Sequence, residues 1–267
     1  MSSPKVSIIM PVYNTSAYLR EAIQSILSQT FIDFEYIIIN DGSSDQSEHI
    51  ILSFTDPRIR YFKNEKNEGL VYTLNRGIDL ATSPWIARMD GDDISLPARL
   101  EKQWNYLESH RDAEVLATTV ILINENGGIT GSWKDDIAAI TPKEIRAFLP
   151  RNNCIAHPSV MIKTALLKKY HYNRLQSQAE DYDLWLRLMC DGITIHKLNE
   201  PLVKHRILST SFTRRQQKNV FQKLAITKYR FSISAFRNGK FNAFVLNTFL
   251  NSGMDAMKGW IKNIRGN

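Results

Sequence analysis

The sequence predicts an α/β fold built on a mostly parallel central sheet flanked by helices, followed by a helical appendage. Three observations carry this prediction. Apolar runs alternate with helix-period patterns through the first hundred or so residues; those runs are nearly unbroken, as in strands covered on both faces; and polar turns recur where the strands would end. In an open parallel sheet the carboxyl ends of the strands share one edge, and ligands bind there.

Residues 6–10, Val-Ser-Ile-Ile-Met, read as the first strand. Leu19, Ala22, Ile23, Ile26 and Leu27 then fall on one helix face. Residues 36–39 make a second buried strand, which ends at Asn40-Asp41-Gly42-Ser43-Ser44-Asp45. That turn offers N-caps for a short helix through Ile50 and Ile51. Residues 59–62 are a third strand. Leu70, Val71, Leu74 and Ile78 form another helix face behind Gly69, and residues 85–89 are a fourth strand. A helix over about 97–110 leads to a long strand at 115–123, and Asn126-Gly127-Gly128 signals a turn that returns 129–134 as a hairpin. A short strand is expected at 159–162. The face of Leu184, Trp185, Leu188 and Met189 predicts a helix starting near Glu180-Asp181, and strand-like runs follow at 193–198 and 202–207. After Thr213 the pattern is helical, with a break near Asn238-Gly239.

With 267 residues the chain can bury a large core, as one big domain or one plus an appendage. At 43% hydrophobic and 23% charged residues, wholesale disorder is excluded. Cys154 and Cys190 are isolated, which fits a reducing cytoplasm and carries no metal or redox signal. Residues 1–5 lead straight into a strand without a signal-peptide pattern, and no run approaches the roughly 18 to 20 apolar residues that span a bilayer. The net charge of +7 is uneven. Residues 212–267 hold eleven Lys and Arg against one acid, Asp255, and the remainder has 23 against 26. Basic character therefore belongs to the tail.

Residues 90–93, Asp-Gly-Asp-Asp, close the fourth strand. Three carboxylates within four residues repel one another unless a cation or strong donors neutralise them. Mg²⁺ takes oxygen ligands and often uses one or two carboxylates, leaving other positions to water and phosphates. A metal-diphosphate site is the functional reading, and a solvated acidic turn the plain one. Other polar loops, at 11–14, 41–45 and 64–69, end strands on the same edge. Neither GxGxxG after the first strand nor GxxxxGK[ST] occurs, which disfavours binding through glycine-rich phosphate loops. Asp41 reads either as a turn residue or as an acceptor for the imide N–H of a base.

Taken in order, residues 6–14 (Val-Ser-Ile-Ile-Met-Pro-Val-Tyr-Asn), 40–45, Asn67-Glu68-Gly69 with Asn75-Arg76-Gly77-Ile78, and 87–93 (Ala-Arg-Met-Asp-Gly-Asp-Asp) resemble family 2 glycosyltransferases. The resemblance covers roughly residues 4–208. It implies a GT-A fold, inversion at the transferred sugar, a nucleotide-sugar donor that is usually a UDP-sugar, and Mn²⁺ or Mg²⁺. Carried onto this chain, Pro11, Val12, Tyr13 and Asp41 would hold the nucleoside. Asn67, Asp90 and Gly91 would line the uridine or ribose. Asp92 would be the principal metal ligand beside Asp90, with Asp93 behind the metal or against a sugar.

Residues 179–187 (Ala-Glu-Asp-Tyr-Asp-Leu-Trp-Leu-Arg) look like the family's acidic pair at a helix start. A sugar hydroxyl needs a positioned proton acceptor, and Asp181 fits that role with Glu180 as the alternative. The plain reading is that both favour the positive end of a helix. His157 resembles an acceptor-side segment, although a lone His is more often structural. Trp185 could stack on a sugar, but its helix-face neighbours argue for core packing. Residues 204–206, Lys-His-Arg, stand where relatives read Tyr-Arg-x-His, with Leu208 at the position of that His. His205 could substitute as a metal contact, and Arg206 would suit a diphosphate because a guanidinium matches phosphate oxygens in pairs.

The expected division is a catalytic domain over 1–210, with a nucleotide-sugar half (1–110) and an acceptor half (111–210), then a basic, aromatic-rich tail over 211–267. Basic helices with interleaved aromatics suit an anionic membrane surface, and packing on the catalytic domain is the compatible alternative. The expected partners are a nucleotide sugar, a glycan or polyprenyl-linked acceptor, and the cytoplasmic face of the membrane. No nucleic acid is expected. A sugar-nucleotide nucleotidyltransferase would need a Gly-rich, Arg/Lys-containing loop after the first strand, which residues 11–14 lack. A noncatalytic docking protein would leave both acidic sites unexplained.

Overall fold

Strands β1 (Val6–Val12) and β2 (Phe34–Asn40) divide their side chains between two cores. In the computed structural model, which describes residues 3–176, 178–208 and 220–265, Ile8, Met10, Tyr36 and Ile38 point to one face of the sheet and Ile9, Ile37 and Ile39 to the other. This two-residue alternation forces a helix layer onto each side. Helices α1 (Ser16–Leu27), α2 (Ser47–Leu52) and later α4 (Arg99–Ser109) cover the first face through Leu19, Ala22, Ile23, Ile26, Ile51 and Leu100. Helix α3 (Leu70–Leu80) covers the second through Val71, Leu74 and Ile78.

Among the described residues one nine-stranded sheet runs through the chain, in the order β3-β2-β1-β4-β8-β6-β9-β5 with β7 beside β6. Strands β3 (Ile59–Lys63), β2, β1 and β4 (Trp85–Arg88) are parallel, as expected. Beyond β4 the sheet is mixed, within the expected α/β plan. Strand β8 (Met161–Lys163) is antiparallel to both β4 and β6 (Val115–Ile123), and β6 is parallel to β9 (Ile195–Arg206). Two-residue β5 (Ile94–Ser95), unforeseen in the sequence, is antiparallel to β9. The hairpin strand β7 ends earlier than expected, at Ile129–Ser132.

The two runs at 193–198 and 202–207 are one strand. Register passes from Thr118↔Leu198 to Thr119↔Pro201, so Asn199 and Glu200 bulge out where Pro201 has no N–H for the ladder. Helices α5 (Lys134–Ile137), α6 (Pro142–Phe148) and α7 (Thr164–Tyr170) also escaped the sequence reading. Their short lengths leave little periodicity. The start of α6 was nonetheless legible, since Thr141 and Glu144 form a reciprocal capping box with Pro142 at the first turn. Helix α8 (Glu180–Cys190) begins as expected.

Residues 209–219, where the tail was expected to turn helical, lie outside the described residues. Helix α9 (Val220–Arg237) packs on α8, and α10 (Ala243–Arg265) packs on α9. Phe231, Ala235, Phe244 and Val245 join the larger core, and buried Lys228 pairs with Asp255 at 2.5 Å. Packing on the main body is therefore real for these side chains.

One buried cation fixes the loop beneath α8. The side chain of Lys197 on β9 is fully buried and paired with Asp136 at 3.0 Å, and its Nζ donates to the carbonyls of Asp136, Ala139 and Cys154. Breaking one side of such a pair leaves an uncompensated charge in the core. Lys197→Met, with the Asp136 carboxylate retained, should cost about 3–5 kcal/mol, read as a lowered urea midpoint. An unchanged midpoint would show that this pair does not hold the corner together.

A candidate active site at the carboxyl edge of the sheet

Backbone and side-chain bonds tie the loops that leave β1, β2 and β3 together. The Asp41 N–H donates to Val12 O at 2.8 Å, Asn14 N–H to Ser43 Oγ at 3.0 Å, and Ser16 N–H to Asp45 at 2.9 Å. Asp41 is almost fully buried. Its Oδ1 accepts from Asn64 Nδ2 (2.6 Å) and Glu68 N–H (2.9 Å), and its Oδ2 from Gly69 N–H (2.9 Å). Gly42 has φ +68°, and a Cβ there would stand 2.6 Å from the Lys66 carbonyl carbon, so only glycine lets the two loops meet. The Tyr13 ring is exposed beside this cradle, and Asn67 accepts from Gly69 N–H. Pro11 lies in the β1 ladder opposite Ile39. Val12 is corrected as a nucleoside contact: its side chain is buried in the core, and only its carbonyl serves the edge.

The acidic cluster follows β4. One carboxylate oxygen each from Asp90, Asp92 and Asp93 lies within 4.8 Å of the others. Burial first, then the charges of Asp93 and Asp90, push Asp92 up to about 7. Asp90 is also raised by burial, although its pairing with Arg88 opposes the shift. Asp93 is buried and engaged, accepting from Arg206 N–H at 2.8 Å and lying 3.0 Å from His205 Nδ1. Among the described residues no hydrogen-bond donor reaches the Asp92 carboxylate. An all-oxygen set with one unsatisfied carboxylate fits a hard divalent ion. Gly91 keeps the turn close to α1, since a Cβ there would meet Thr15 Oγ1 at 2.9 Å.

The expected diphosphate role of Arg206 is corrected. Arg206 is spent on the protein: Nε donates to Asp92 O, Nη1 to Asn124 O and Glu125 O, and Nη2 pairs with Glu21 at 2.7 Å. It holds the 90–93 loop in shape and has no free edge for a diphosphate. Burial alone would lower the His205 pKa, but the carboxylates of Asp93, Asp90 and Asp92 raise it to about 9. In the metal-free chain this holds His205 as a cation against Asp93. Asp93 likewise faces these partners, not a sugar.

The second acidic pair lies at the head of α8. The 3₁₀ turn His157–Ser159 leads into β8, and Arg88 N–H donates to Val160 O, which brings His157 to the carboxyl end of β4. Glu180 and Asp181 are both half-buried, and Asn153 Nδ2 donates to Asp181 at 2.9 Å. Burial, then the Asp181 charge, raises Glu180 to about 8, and Asp90 contributes to the same shift. The two carboxylate sets, at the end of β4 and the head of α8, are thus close enough to feel one another. Ala179, just before the helix, has φ +53° and ψ 40°, a left-handed conformation costing a non-glycine residue roughly 1–2 kcal/mol. His157 is buried, 2.7 Å from Tyr172 Oη, and burial followed by Arg88 holds it well below the usual range. It is a neutral residue behind Glu180. Trp185 is wholly buried in the core, which removes it as a stacking surface.

Sequence reasoning missed Arg88 and Asn153. The Arg88 guanidinium is 3% exposed and pairs with Asp90, and its charge acts on Glu180, Asp181 and Tyr172. An arginine inside an otherwise apolar strand is the signal that could have exposed it. Asn153 follows another Asn in a loop and had no signal.

The profile described as glycosyl transferase family 2 matches residues 7–170. An uncharacterized glycosyltransferase of Methanocaldococcus jannaschii is 38% identical over 211 residues, covering 78% of this chain and 72% of that protein. The O-antigen biosynthesis glycosyltransferase WbnJ of Escherichia coli is 37% identical over 211 residues, covering 77% and 81%. S. aureus TarS 1–349 in complex with UDP-GlcNAc superposes with a TM-score of 0.70 at 18% identity, over 93% of this chain and 72% of that one. The same protein in complex with UDP gives 0.67 at 19% identity, over 86% of this chain and 65% of that one.

The Asp92 shift has a measurable sign. A carboxyl raised from 3.8 to about 7 by folding contributes stability that is complete below about pH 4 and lost as pH rises through 7. Mn²⁺ should therefore raise the Tm of the chain more at pH 8 than at pH 5.5. Asp92→Asn should raise the metal-free Tm at pH 8 and remove most of the manganese gain. Differential scanning fluorimetry reads both, and an equal manganese shift in wild type and variant would remove Asp92 as a ligand.

Proposed function

The chain belongs to glycosyl transferase family 2, and from that premise we propose an inverting enzyme that moves a sugar from a UDP-sugar to a hydroxyl of a glycan or lipid-linked glycan. The observation that carries this reading is the Glu180–Asp181 pair within electrostatic reach of the Asp90 cluster. One carboxylate set suits a diphosphate-bound cation and the other suits an acceptor proton. The uridine assignment draws on the UDP and UDP-GlcNAc complexes of TarS and on Asp41, whose Oδ2 accepts one N–H and keeps room for a base imide. Cell-surface polysaccharide synthesis is the process favoured by the likeness to WbnJ. Action at the cytoplasmic face of the membrane belongs to the same reading.

Asp92 and Asp90 would hold Mn²⁺ or Mg²⁺, with Asp93 fixed behind them by His205 and Arg206. When bound, the ion supplies positive charge against the departing diphosphate. The chain's own residues do the rest. Asp41, Tyr13 and Asn67 seat the nucleoside, and Asn153 holds the Asp181 carboxylate toward the acceptor. Asp181 takes the hydroxyl proton as the acceptor oxygen bonds to the anomeric carbon; the bond from that carbon to the phosphate oxygen breaks, and the centre inverts. Arg88 steadies the excess negative charge between the two carboxylate sets.

A panel of nucleotide sugars with purified chain and Mn²⁺, read by nucleotide release, identifies the donor. Asp181→Asn should lower kcat by about 10²–10⁴ while leaving UDP affinity nearly unchanged by calorimetry. Undiminished transfer would sink the base assignment. Full loss in Glu180→Gln with little loss in Asp181→Asn would move the role one residue upstream.

A further inference from the structure

Helix α10 is built inside out. Its packed side carries Thr248, Asn251, Ser252 and Asp255, all buried. Its solvent side carries Leu246 (52% exposed), Leu250 (58%), Met254 (46%), Met257 (57%), Trp260 (65%) and Ile261 (37%). At 100° per residue these six fall within one stripe over four turns, with 246, 250, 254, 257 and 261 in helical succession. An isolated exposed leucine needs no explanation, whereas a continuous apolar stripe rimmed by charge does.

Charge names the occupant. Lys258 flanks the stripe and lies 3.7 Å from Asp255, the tail's single acid, which is buried between it and Lys228. With eleven Lys and Arg against that one acid, the tail that carries the stripe is strongly cationic. We propose that this face docks on a bilayer bearing anionic headgroups, the helix lying in the interface. No described helix is long and apolar enough to cross a membrane. α9 separates α10 from α8, and helix spacings of about 8–10 Å put α8 roughly 20 Å from the docked surface. Docking would thus carry Glu180 and Asp181 toward an acceptor held in the membrane; this orientation, unlike the docking itself, rests on the lipid-linked reading.

The test is sedimentation of the full chain with vesicles of phosphatidylcholine alone or mixed with phosphatidylglycerol. Binding should require the anionic lipid and weaken as salt rises from about 0.1 to about 0.5 M. Leu250→Asp with Met257→Asp should lower partitioning about tenfold or more. UDP binding of the same variant, measured by calorimetry without vesicles, should match wild type, which separates docking from the fold and from the donor assignment. Equal sedimentation of variant and wild type would overturn the proposal, as would equal binding to neutral vesicles. A wild-type dimer that the double variant splits would assign the stripe to a second copy instead.

Discussion

Carboxylates gathered where water is scarce impose the main constraint on this molecule. Asp90, Asp92, Asp93, Glu180 and Asp181 sit at one edge of the sheet, and burial together with mutual repulsion raises Asp92 and Glu180 to about 7 and 8. The fold tolerates this because cations are built in beneath the cluster. Arg88 lies under Asp90, His205 lies against Asp93, and Arg206 grips the loop by its carbonyls. Each comes from a strand that the core holds rigidly. Among the described residues no donor reaches the Asp92 carboxylate, a deficit that a hard divalent ion would suit.

The first half was legible because its strands are covered on both faces and its helices are long enough to show a period. Unbroken apolar runs of strand length are typical of parallel sheets; here Tyr36, Ile37, Ile38 and Ile39 are all fully buried. The second half yielded less. β5 has two residues, α5 four and α6 seven, too few for periodicity, and the bulge at Asn199 and Glu200 made one strand look like two. The site followed the same division. Asp41, Asp90, Asp92 and Asp181 were readable as residue types at strand or helix ends. The engagement of Arg206 and His205 by Asp93, Glu21 and loop carbonyls depends on distant residues and has no local signal.

The tail shows how composition can mislead about surfaces. Its aromatics and cations stood out in the sequence, yet Phe231 and Phe244 lie in the core and Lys228 is buried against Asp255. The residues left outside on α10 are mostly aliphatic and thioether side chains that drew no notice. Helix phase, not residue count, decides which groups meet solvent. Buried Thr248 and Ser252 satisfy their hydroxyls on carbonyls one turn back, which is how a helix can bury a polar stripe without orphaned groups.

Strand β9 ties the two ends of the chemistry to a single rod. Near its start Lys197 grips the Cys154 carbonyl, one residue from the Asn153 that aims Asp181; at its far end His205 and Arg206 fasten Asp93. An insertion or deletion between those points would shift both fastenings relative to one another. The exception is the bulge at Asn199 and Glu200, where β9 already carries two residues more than β6, so a change of length can loop out there without moving either end.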